Sequence, residues 1–167
     1  SCFHRQPFLN RDRPRQWLLD SILTAQNKYD FAIWAWVFMP EHVHLVIWPR
    51  QPNYEIKRIL QSLKQPVSLR AIAFIKKQTP VSIRLLEDPQ PNGKISLRFW
   101  QRGGGYDRNL RSGEHIWEKI EYIHRNPAER GLCERVDDWE WSSAKDYHKK
   151  RGVQLLPLDL RTIPHRP

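Results

Sequence analysis

Two histidines, His42 and His44, stand one residue apart inside the largely apolar run from residue 38 to residue 49. The run is rich in β-branched and aromatic residues and predicts a strand, in which alternate residues share one face of the sheet. The two imidazoles would then lie side by side, with Val43, Leu45 and Ile47 on the opposite face. A divalent metal ion is the simplest polar partner for this face, although an isolated motif of this kind is more often a pair of hydrogen-bonded structural residues. A metal site therefore requires a further ligand elsewhere in the chain.

A later predicted helix supplies residues that could complete such a site. Tyr122 and Asn126 are four residues apart and Glu118 lies one turn earlier, so the three project from one helical face. The two imidazoles and the side-chain oxygen of Asn126 could hold a divalent ion that polarises a phosphodiester, and the Tyr122 phenol could attack the phosphorus. A tyrosine nucleophile differs from water because a covalent phosphotyrosine conserves the broken strand for later rejoining.

The charge distribution favours a polyanionic partner. The chain has 28 Lys and Arg against 18 Asp and Glu, a formal net charge of +10. Residues 51–100 carry nine basic and three acidic side chains, a net +6, whereas the first 50 and the last 67 residues contribute +2 each. Nucleic acid is the favoured partner because Lys and Arg neutralise its phosphates, and a well-solvated charged surface is the alternative. The predicted nucleic-acid-binding residues are Lys57, Arg58, Lys64, Lys76, Lys77 and Arg102.

Hydrophobic periodicity and turn residues predict the elements that position these side chains. In chain order these are a helix at 14–27, a central strand at 31–39 that forms an antiparallel hairpin with the histidine strand, and a helix from 56 to about 78 that Pro66 interrupts. A short strand at 95–101, a helix from 112 to 126 ended by Asn126-Pro127, and a short basic helix at 144–150 follow.

Length and composition predict one domain over residues 1–150, followed by a C-terminal tail at 151–167. Charged residues make up 28% of the chain and the mean hydropathy is -0.71, which argues against a membrane protein. Cys2 and Cys133 are far apart in sequence and are expected to be free thiols in a reducing, cytoplasmic setting.

Four sequence blocks together resemble the HUH endonuclease superfamily, and within it the REP-associated, IS200-like tyrosine transposases. They are Met-Pro-Glu-His-Val-His-Leu-Val at 39–46, Phe-Trp-Gln at 99–101 with Tyr106-Asp107 after it, Tyr-Ile-His-Arg-Asn-Pro-Ala-Glu-Arg-Gly-Leu at 122–132, and Trp-Ser-Ser at 141–143. The coincidence of four blocks in the family's order is far more specific than the two histidines alone.

The resemblance implies an α+β fold with a ferredoxin-like antiparallel sheet and helices packed on its faces. It implies that His42, His44 and Asn126 bind Mg2+ or Mn2+, and that Tyr122 is the catalytic nucleophile. The expected activity is the cleavage and rejoining of single-stranded DNA next to a hairpin, a REP-like palindrome, through a 5'-phosphotyrosine intermediate. The protein would act as a monomer or a homodimer.

Three features depart from the family pattern. Glu41 stands where relatives usually have Asn and is expected to be a tolerated change in the turn. Arg108 replaces a common His, so Asp107, like Glu118, is given only a supporting role. The family's opening strand would extend upstream of Ser1.

Two other functions are compatible with the sequence. One is a catalytically inactive protein on the same fold that binds a nucleic-acid hairpin without cutting it. The other is a zinc protein that uses both histidines together with Cys133.

Several aromatic residues and histidines have weaker claims to a role in the site. Tyr106 and Tyr147 are rival nucleophiles and are expected to serve in packing. His115 and His124 are expected to be structural, and Trp48 is expected in the core. Unpaired bases could stack on Trp100, Trp139 or Trp141.

Overall fold

The computed structural model describes residues 1–103, 107–148 and 153–166, and packing divides them into two compact units that alternate along the chain. Unit 1 comprises Ser1–Ala25, Pro40–His42 and Glu55–Tyr106. Unit 2 comprises Gln26–Met39, Val43–Tyr54 and Asp107–Pro167. The chain therefore passes from unit 1 to unit 2 between the two histidines.

Unit 2 is built on an antiparallel hairpin of β1 (Phe31–Phe38) and β2 (Val43–Pro49). All eight residues of β1 are buried, as its uninterrupted apolar sequence predicts for a central strand. In the register of the pair, Val37 lies opposite His44. The strand β2 begins at Val43, so His42 precedes it and only His44 is a strand residue.

The helix α3 (Gly113–Glu129) packs against this hairpin through isoleucines at helical spacing. It begins at Ser112, whose Oγ accepts a hydrogen bond from the backbone N–H of His115. The shared core consists of Ala32, Trp34, Ala35, Val37, Met39, Val46, Ile116, Ile120, Ile123 and Ile163.

The predicted end of α3 at Asn126-Pro127 is wrong, because the helix continues through Pro127 to Glu129. Proline removes one backbone donor but does not stop a helix whose other residues are held by packing, and both Asn126 and Pro127 are buried. Asn126 is therefore a helical residue one turn beyond Tyr122.

The short helix α4 (Ala144–Tyr147) and the described C-terminal residues complete unit 2. Ser142 pairs with Val37 and Leu158 with Ile33 in single β-bridges, so both chain segments lie beside β1. Leu156 and Ile163 are buried. The described residues of the predicted tail at 151–167 therefore contact this unit through Leu156, Leu158 and Ile163.

Unit 1 contains most of the helix α1 (Asp12–Tyr29) and all of α2 (Ile56–Gln78). These helices meet through an ion pair between Arg70 and Asp20 and an edge contact between Trp17 and Phe74. The predicted interruption of α2 at Pro66 is wrong, because one helix spans it. Buried residues on either side, Leu63 and Val67, anchor the helix where the proline removes a hydrogen bond.

A 3-10 turn at Pro80–Leu86 links α2 to a second antiparallel pair, β3 (Glu87–Pro89) and β4 (Ile95–Leu97). The N-terminal segment of unit 1 runs beside residues 99–101, where Cys2 forms an antiparallel bridge with Trp100. Burial raises the pKa of the Cys2 thiol to about 12, so this cysteine is an inert core residue.

The prediction of an α+β fold with antiparallel strands is confirmed. Within the described part of the chain the strands form two separate pairs, whereas the resemblance implied a single ferredoxin-like sheet. The outer edge of β1 is occupied by single bridges to Ser142 and Leu158 instead of by further full strands. Among the described residues, no helix is long and apolar enough to cross a membrane.

Candidate functional site

The rings of His44 and Tyr122 meet in unit 2. Their centroids are 5.9 Å apart and the ring planes stand at 83°, an edge-to-face arrangement. His44 comes from β2 and Tyr122 from α3, and 78 positions separate them in the sequence. The structure therefore brings together one of the two predicted imidazoles and the predicted nucleophile.

The apolar pattern of α3 explains this meeting. Ile116, Ile120 and Ile123 bury one side of the helix in the core that contains Val46. Val46 follows His44 by two residues and therefore shares its face of β2. Tyr122 lies beside the buried stripe and keeps 41% of its surface exposed, which is compatible with the role predicted for it.

Ser143, in the Trp-Ser-Ser block, joins α3 to β1. Its Oγ lies 2.9 Å from the backbone N of Trp36, 3.1 Å from the Trp36 carbonyl oxygen and 2.8 Å from Nε2 of His124. The three groups are buried, and burial lowers the pKa of His124 to about 4, so its imidazole is neutral near neutral pH. His124 is therefore a structural residue, as predicted, and it fixes the helix that carries Tyr122.

Asn126 lies one turn beyond Tyr122 on α3 and is 8% exposed. Its proposed role as a metal ligand remains a prediction. The helix keeps the spacing of four residues on which that prediction depends, because α3 does not end at Pro127.

His42 lies in unit 1, in the turn that precedes β2. Its Nδ1 is 2.8 Å from Oε1 of Glu41, and the side chains are only 14% and 11% exposed. This pairing was not foreseen, because the sequence prediction placed His42 within the strand and Glu41 in a permissive turn.

An open cleft of about 270 Å³ lies beside Tyr122 in unit 2. It is lined by Arg108, Leu110, His115, Glu118, Lys119 and Tyr122. The ammonium of Lys119 is 4.5 Å from the centroid of the Tyr122 ring. Sequence reasoning missed Lys119, although its position three residues before the tyrosine places both side chains on the same side of a helix. The supporting residue Glu118 lines the cleft, and Asp107 is exposed.

The predicted nucleic-acid-binding residues have different surroundings in unit 1. The side chains of Lys57, Lys76 and Lys77 are exposed on α2. Arg58 is also exposed, and it pairs with Glu55 at 2.9 Å. Two others are engaged locally: Lys64 donates to the Gly103 carbonyl, and Arg102 donates to Asp88 and Gln90.

The indole groups named as possible stacking platforms are packed against the protein. Trp100 and Trp141 are buried, and the indole N–H of Trp139 donates to the Phe38 carbonyl. The core prediction for Trp48 is wrong, because Trp48 is 50% exposed near the end of the edge strand β2, where it stacks on Trp34.

The rival assignments receive no support from the described residues. The Tyr147 hydroxyl donates to the Trp34 carbonyl, and burial raises the pKa of this phenol. Tyr106 lies outside the described residues. Within residues 1–103, 107–148 and 153–166, no three His, Cys, Asp or Glu side chains form a cluster that could hold a metal ion. The zinc reading with Cys133 needs such a cluster.

Comparison with known proteins agrees with the motif analysis. A family model described as "Transposase IS200 like" matches residues 1–84. A REP-associated tyrosine transposase of Escherichia coli (strain K12) is 30% identical over 144 residues, which covers 86% of this chain and 71% of that protein. The chain belongs to the family of REP-associated, IS200-like tyrosine transposases.

The present chain also resembles a solved structure of a REP-associated tyrosine transposase bound to a REP hairpin. The similarity covers 99% of the present chain and 86% of the solved chain. The TM-score is 0.62 at 18% identity, so this likeness concerns the fold. Both histidines lie within the residues that the family model matches, whereas the helix with Tyr122 lies beyond them.

Proposed function

We propose that this protein is a metal-dependent endonuclease and transposase that cleaves single-stranded DNA next to a hairpin and rejoins it through a 5'-phosphotyrosine on Tyr122. Family membership supports a DNA-acting enzyme. The observation that carries the finer proposal is the contact between His44 on β2 and Tyr122 on α3. The contact lies beside an open cleft that Tyr122 lines together with the basic side chains of Arg108 and Lys119.

The reaction is a transesterification. The Tyr122 oxygen forms a bond to the phosphorus, the bond from phosphorus to the 3' oxygen breaks, and the 5' phosphate remains on the tyrosine. The phenolic proton is lost, and the leaving 3' oxygen gains one. One phosphoester bond replaces another, so a 3' hydroxyl can reverse the step and rejoin the strand. Attack is favoured in line with the leaving oxygen.

The proposed donor set mixes one oxygen with two nitrogens. We propose His44 and Asn126, together with His42, as ligands for Mg2+ or Mn2+, in which the amide oxygen is the donor that hard cations prefer and the imidazoles are donors typical of transition-metal ions. Once bound, such an ion would polarise the phosphodiester. The contact between the Glu41 carboxylate and Nδ1 of His42 supports the assignment of His42, because metal-binding histidines commonly have a carboxylate against the ring nitrogen that does not bind the metal.

We propose single-stranded DNA with a hairpin as the substrate. The solved relative is bound to a REP hairpin, and this chain concentrates exposed Lys and Arg on α2. Such residues bind the phosphates of a stem without reading its sequence.

The test is covalent capture. The protein is incubated with Mn2+ and a labelled single strand that carries a hairpin, and adducts are separated under denaturing conditions and mapped by mass spectrometry. We expect an adduct on Tyr122 that Tyr122→Phe abolishes. Tyr54→Phe is the matched control, because Tyr54 is a similarly exposed phenol of unit 2, and it should form the adduct normally.

Two outcomes would overturn the proposal. An adduct that persists in Tyr122→Phe would reassign the nucleophile. Hairpin binding by the unsubstituted protein without any adduct would instead identify a catalytically inactive hairpin-binding protein.

A further inference from the structure

Glu41 is a buried carboxylate whose partner is one of the predicted metal ligands. The residue is 8% exposed, and its Oε1 lies 2.8 Å from Nδ1 of His42. A carboxylate is removed from water at a considerable free-energy cost unless it is paired or hydrogen-bonded. Its burial beside His42 therefore points to a specific interaction between the two side chains.

Backbone hydrogen bonds hold the turn that carries this pair. The N–H of Cys2 donates to the Glu41 carbonyl at 2.7 Å, and the N–H of Leu9 donates to the Pro40 carbonyl at 2.8 Å. Cys2 and Leu9 are themselves fully buried. The N-terminal segment thus fixes the backbone of residues 40–41, from which the Glu41 side chain reaches the His42 ring.

The chemistry of the pair determines which nitrogen of His42 carries the hydrogen. An ionised carboxylate only accepts hydrogen bonds, so Nδ1 of the ring must donate. In the neutral imidazole the lone pair then belongs to Nε2, which is the nitrogen that can bind a metal ion.

We propose that Glu41 is a positioning residue that holds His42 in the Nδ1–H tautomer and presents Nε2 to the divalent cation. This inference rests on the proposed function and deepens it, since it gives the turn before β2 a part in metal binding. It also gives a physical reason for an acidic residue at a position where the family resemblance implied Asn. An amide oxygen can accept the same hydrogen bond, but a carboxylate makes it charge-assisted and cannot turn to present a donor.

The test has two measurements that do not use DNA. Long-range proton–nitrogen correlation spectra of the histidine rings, with His42 assigned from His42→Ala, report the tautomer in the metal-free protein. Calorimetric titration reports the affinity for Mn2+. The variants are Glu41→Gln, which keeps the size of the side chain, and Glu41→Asp, which keeps the charge. Glu134→Gln, at an exposed acidic residue, is the matched control for the loss of one negative charge.

We expect the unsubstituted protein to show the Nδ1–H tautomer at His42 and to lose Mn2+ binding in His42→Ala. Glu41→Gln should give a mixture of tautomers and bind Mn2+ about 10-fold more weakly, the lower end of the range for loss of such a supporting carboxylate. Glu41→Asp should keep part of the preference for the Nδ1–H tautomer and part of the affinity for Mn2+. Glu134→Gln should change neither the tautomer nor the affinity.

Other results would overturn the inference. If the unsubstituted protein binds Mn2+ and Glu41→Gln changes neither the tautomer of His42 nor the affinity for Mn2+, the role of Glu41 is refuted. The proposed metal dependence would then still stand. Weaker binding with an unchanged tautomer would identify Glu41 as a direct ligand instead. An unsubstituted protein that binds no Mn2+ would refute the metal dependence in the proposed function and, with it, the metal-presenting role of Glu41.

Discussion

The ammonium of Lys119 lies against the ring of Tyr122, with Nζ 4.5 Å from the ring centroid. A cation in this position attracts the ring face, and in the proposed reaction it would also attract the phosphate that the Tyr122 phenol attacks. The tyrosine oxygen would give up its proton during that attack, and negative charge would grow on the reacting oxygens. Lys119 would therefore favour the charge distribution of the transition state more than that of the ground state.

Replacing Lys119 with Gln should slow formation of the covalent adduct by about 5-fold, because a contact of this kind between a cation and an aromatic ring is worth ~1 kcal/mol. The measurement is the single-turnover rate of adduct formation at saturating DNA, which separates chemistry from binding. Lys28→Gln is the matched control, since the Lys28 ammonium lies 5.3 Å from the Tyr29 ring, away from any predicted catalytic residue. Equal rates in the two variants would show that Lys119 has no special part.

The meeting of His44 and Tyr122 was predicted from the chemistry of the residues and from the family resemblance. Strand alternation and the helical repeat assign a face to each residue, but they do not say which elements pack together. The same reasoning missed Glu41. It extended the strand through His42, which would have sent adjacent side chains to opposite faces. Since β2 begins only at Val43, alternation does not apply to residues 41 and 42, and their side chains can pair.

At the scale of elements, the placement of α3 depends on a buried polar contact. Ser143 contacts the Trp36 backbone and the His124 ring, so the strand and the helix share one hydroxyl group. Burial and the nearby His148 lower the pKa of His124 to about 4 from an ordinary value of 6.5, and the Tyr147 ring packs 4.9 Å from it. Protonation of this ring in the folded protein is therefore costly.

Acid should destabilise the protein through His124. Its folded pKa lies below its unfolded value, so the unfolded chain binds the proton first as the pH falls. The contribution to the free energy of unfolding is complete above about pH 6.5 and disappears as the pH falls to about 4. Between about pH 7.5 and about pH 4.5 the loss should be about 2 to 3 kcal/mol.

Urea unfolding at the two pH values measures this loss. The comparison is with His124→Asn, which keeps a polar group near Ser143 but does not titrate. Carboxyl groups titrate in both proteins and cancel in the difference. An equal pH dependence of the two proteins would contradict the assignment.

The elements themselves were largely predictable, whereas their ends were not. Uninterrupted apolar sequence marked β1, and the isoleucine spacing marked α3. Prolines misled the prediction at Pro66 and Pro127, because local propensity favours a break and burial of the flanking residues outweighs it. The C-terminal residues had no periodicity because they pack as single bridges and isolated apolar contacts, which leave no repeating pattern in a sequence.

At the scale of the whole molecule, the net positive charge would attract a DNA hairpin before any specific contact forms. Phosphate contacts release counterions from DNA, so each lost contact weakens binding and also flattens its dependence on salt. Exposed lysines at the end of α2 can make such phosphate contacts, whereas a cation that is already neutralised by carboxylates contributes little to them. Arg50 is of the second kind, because it pairs with both Asp30 and Asp159.

Substitution of Lys76 and Lys77 together by Gln should therefore weaken hairpin binding and lower the slope of log affinity against log salt by about 1 to 2. Fluorescence anisotropy with a labelled hairpin at several salt concentrations gives both quantities. Arg50→Gln is the control, and its slope should equal that of the unsubstituted protein because the neighbouring carboxylates already compensate its charge. If the double variant keeps the full slope, the basic face of α2 does not contact the phosphates, and the excess of Lys and Arg in residues 51–100 serves solvation instead.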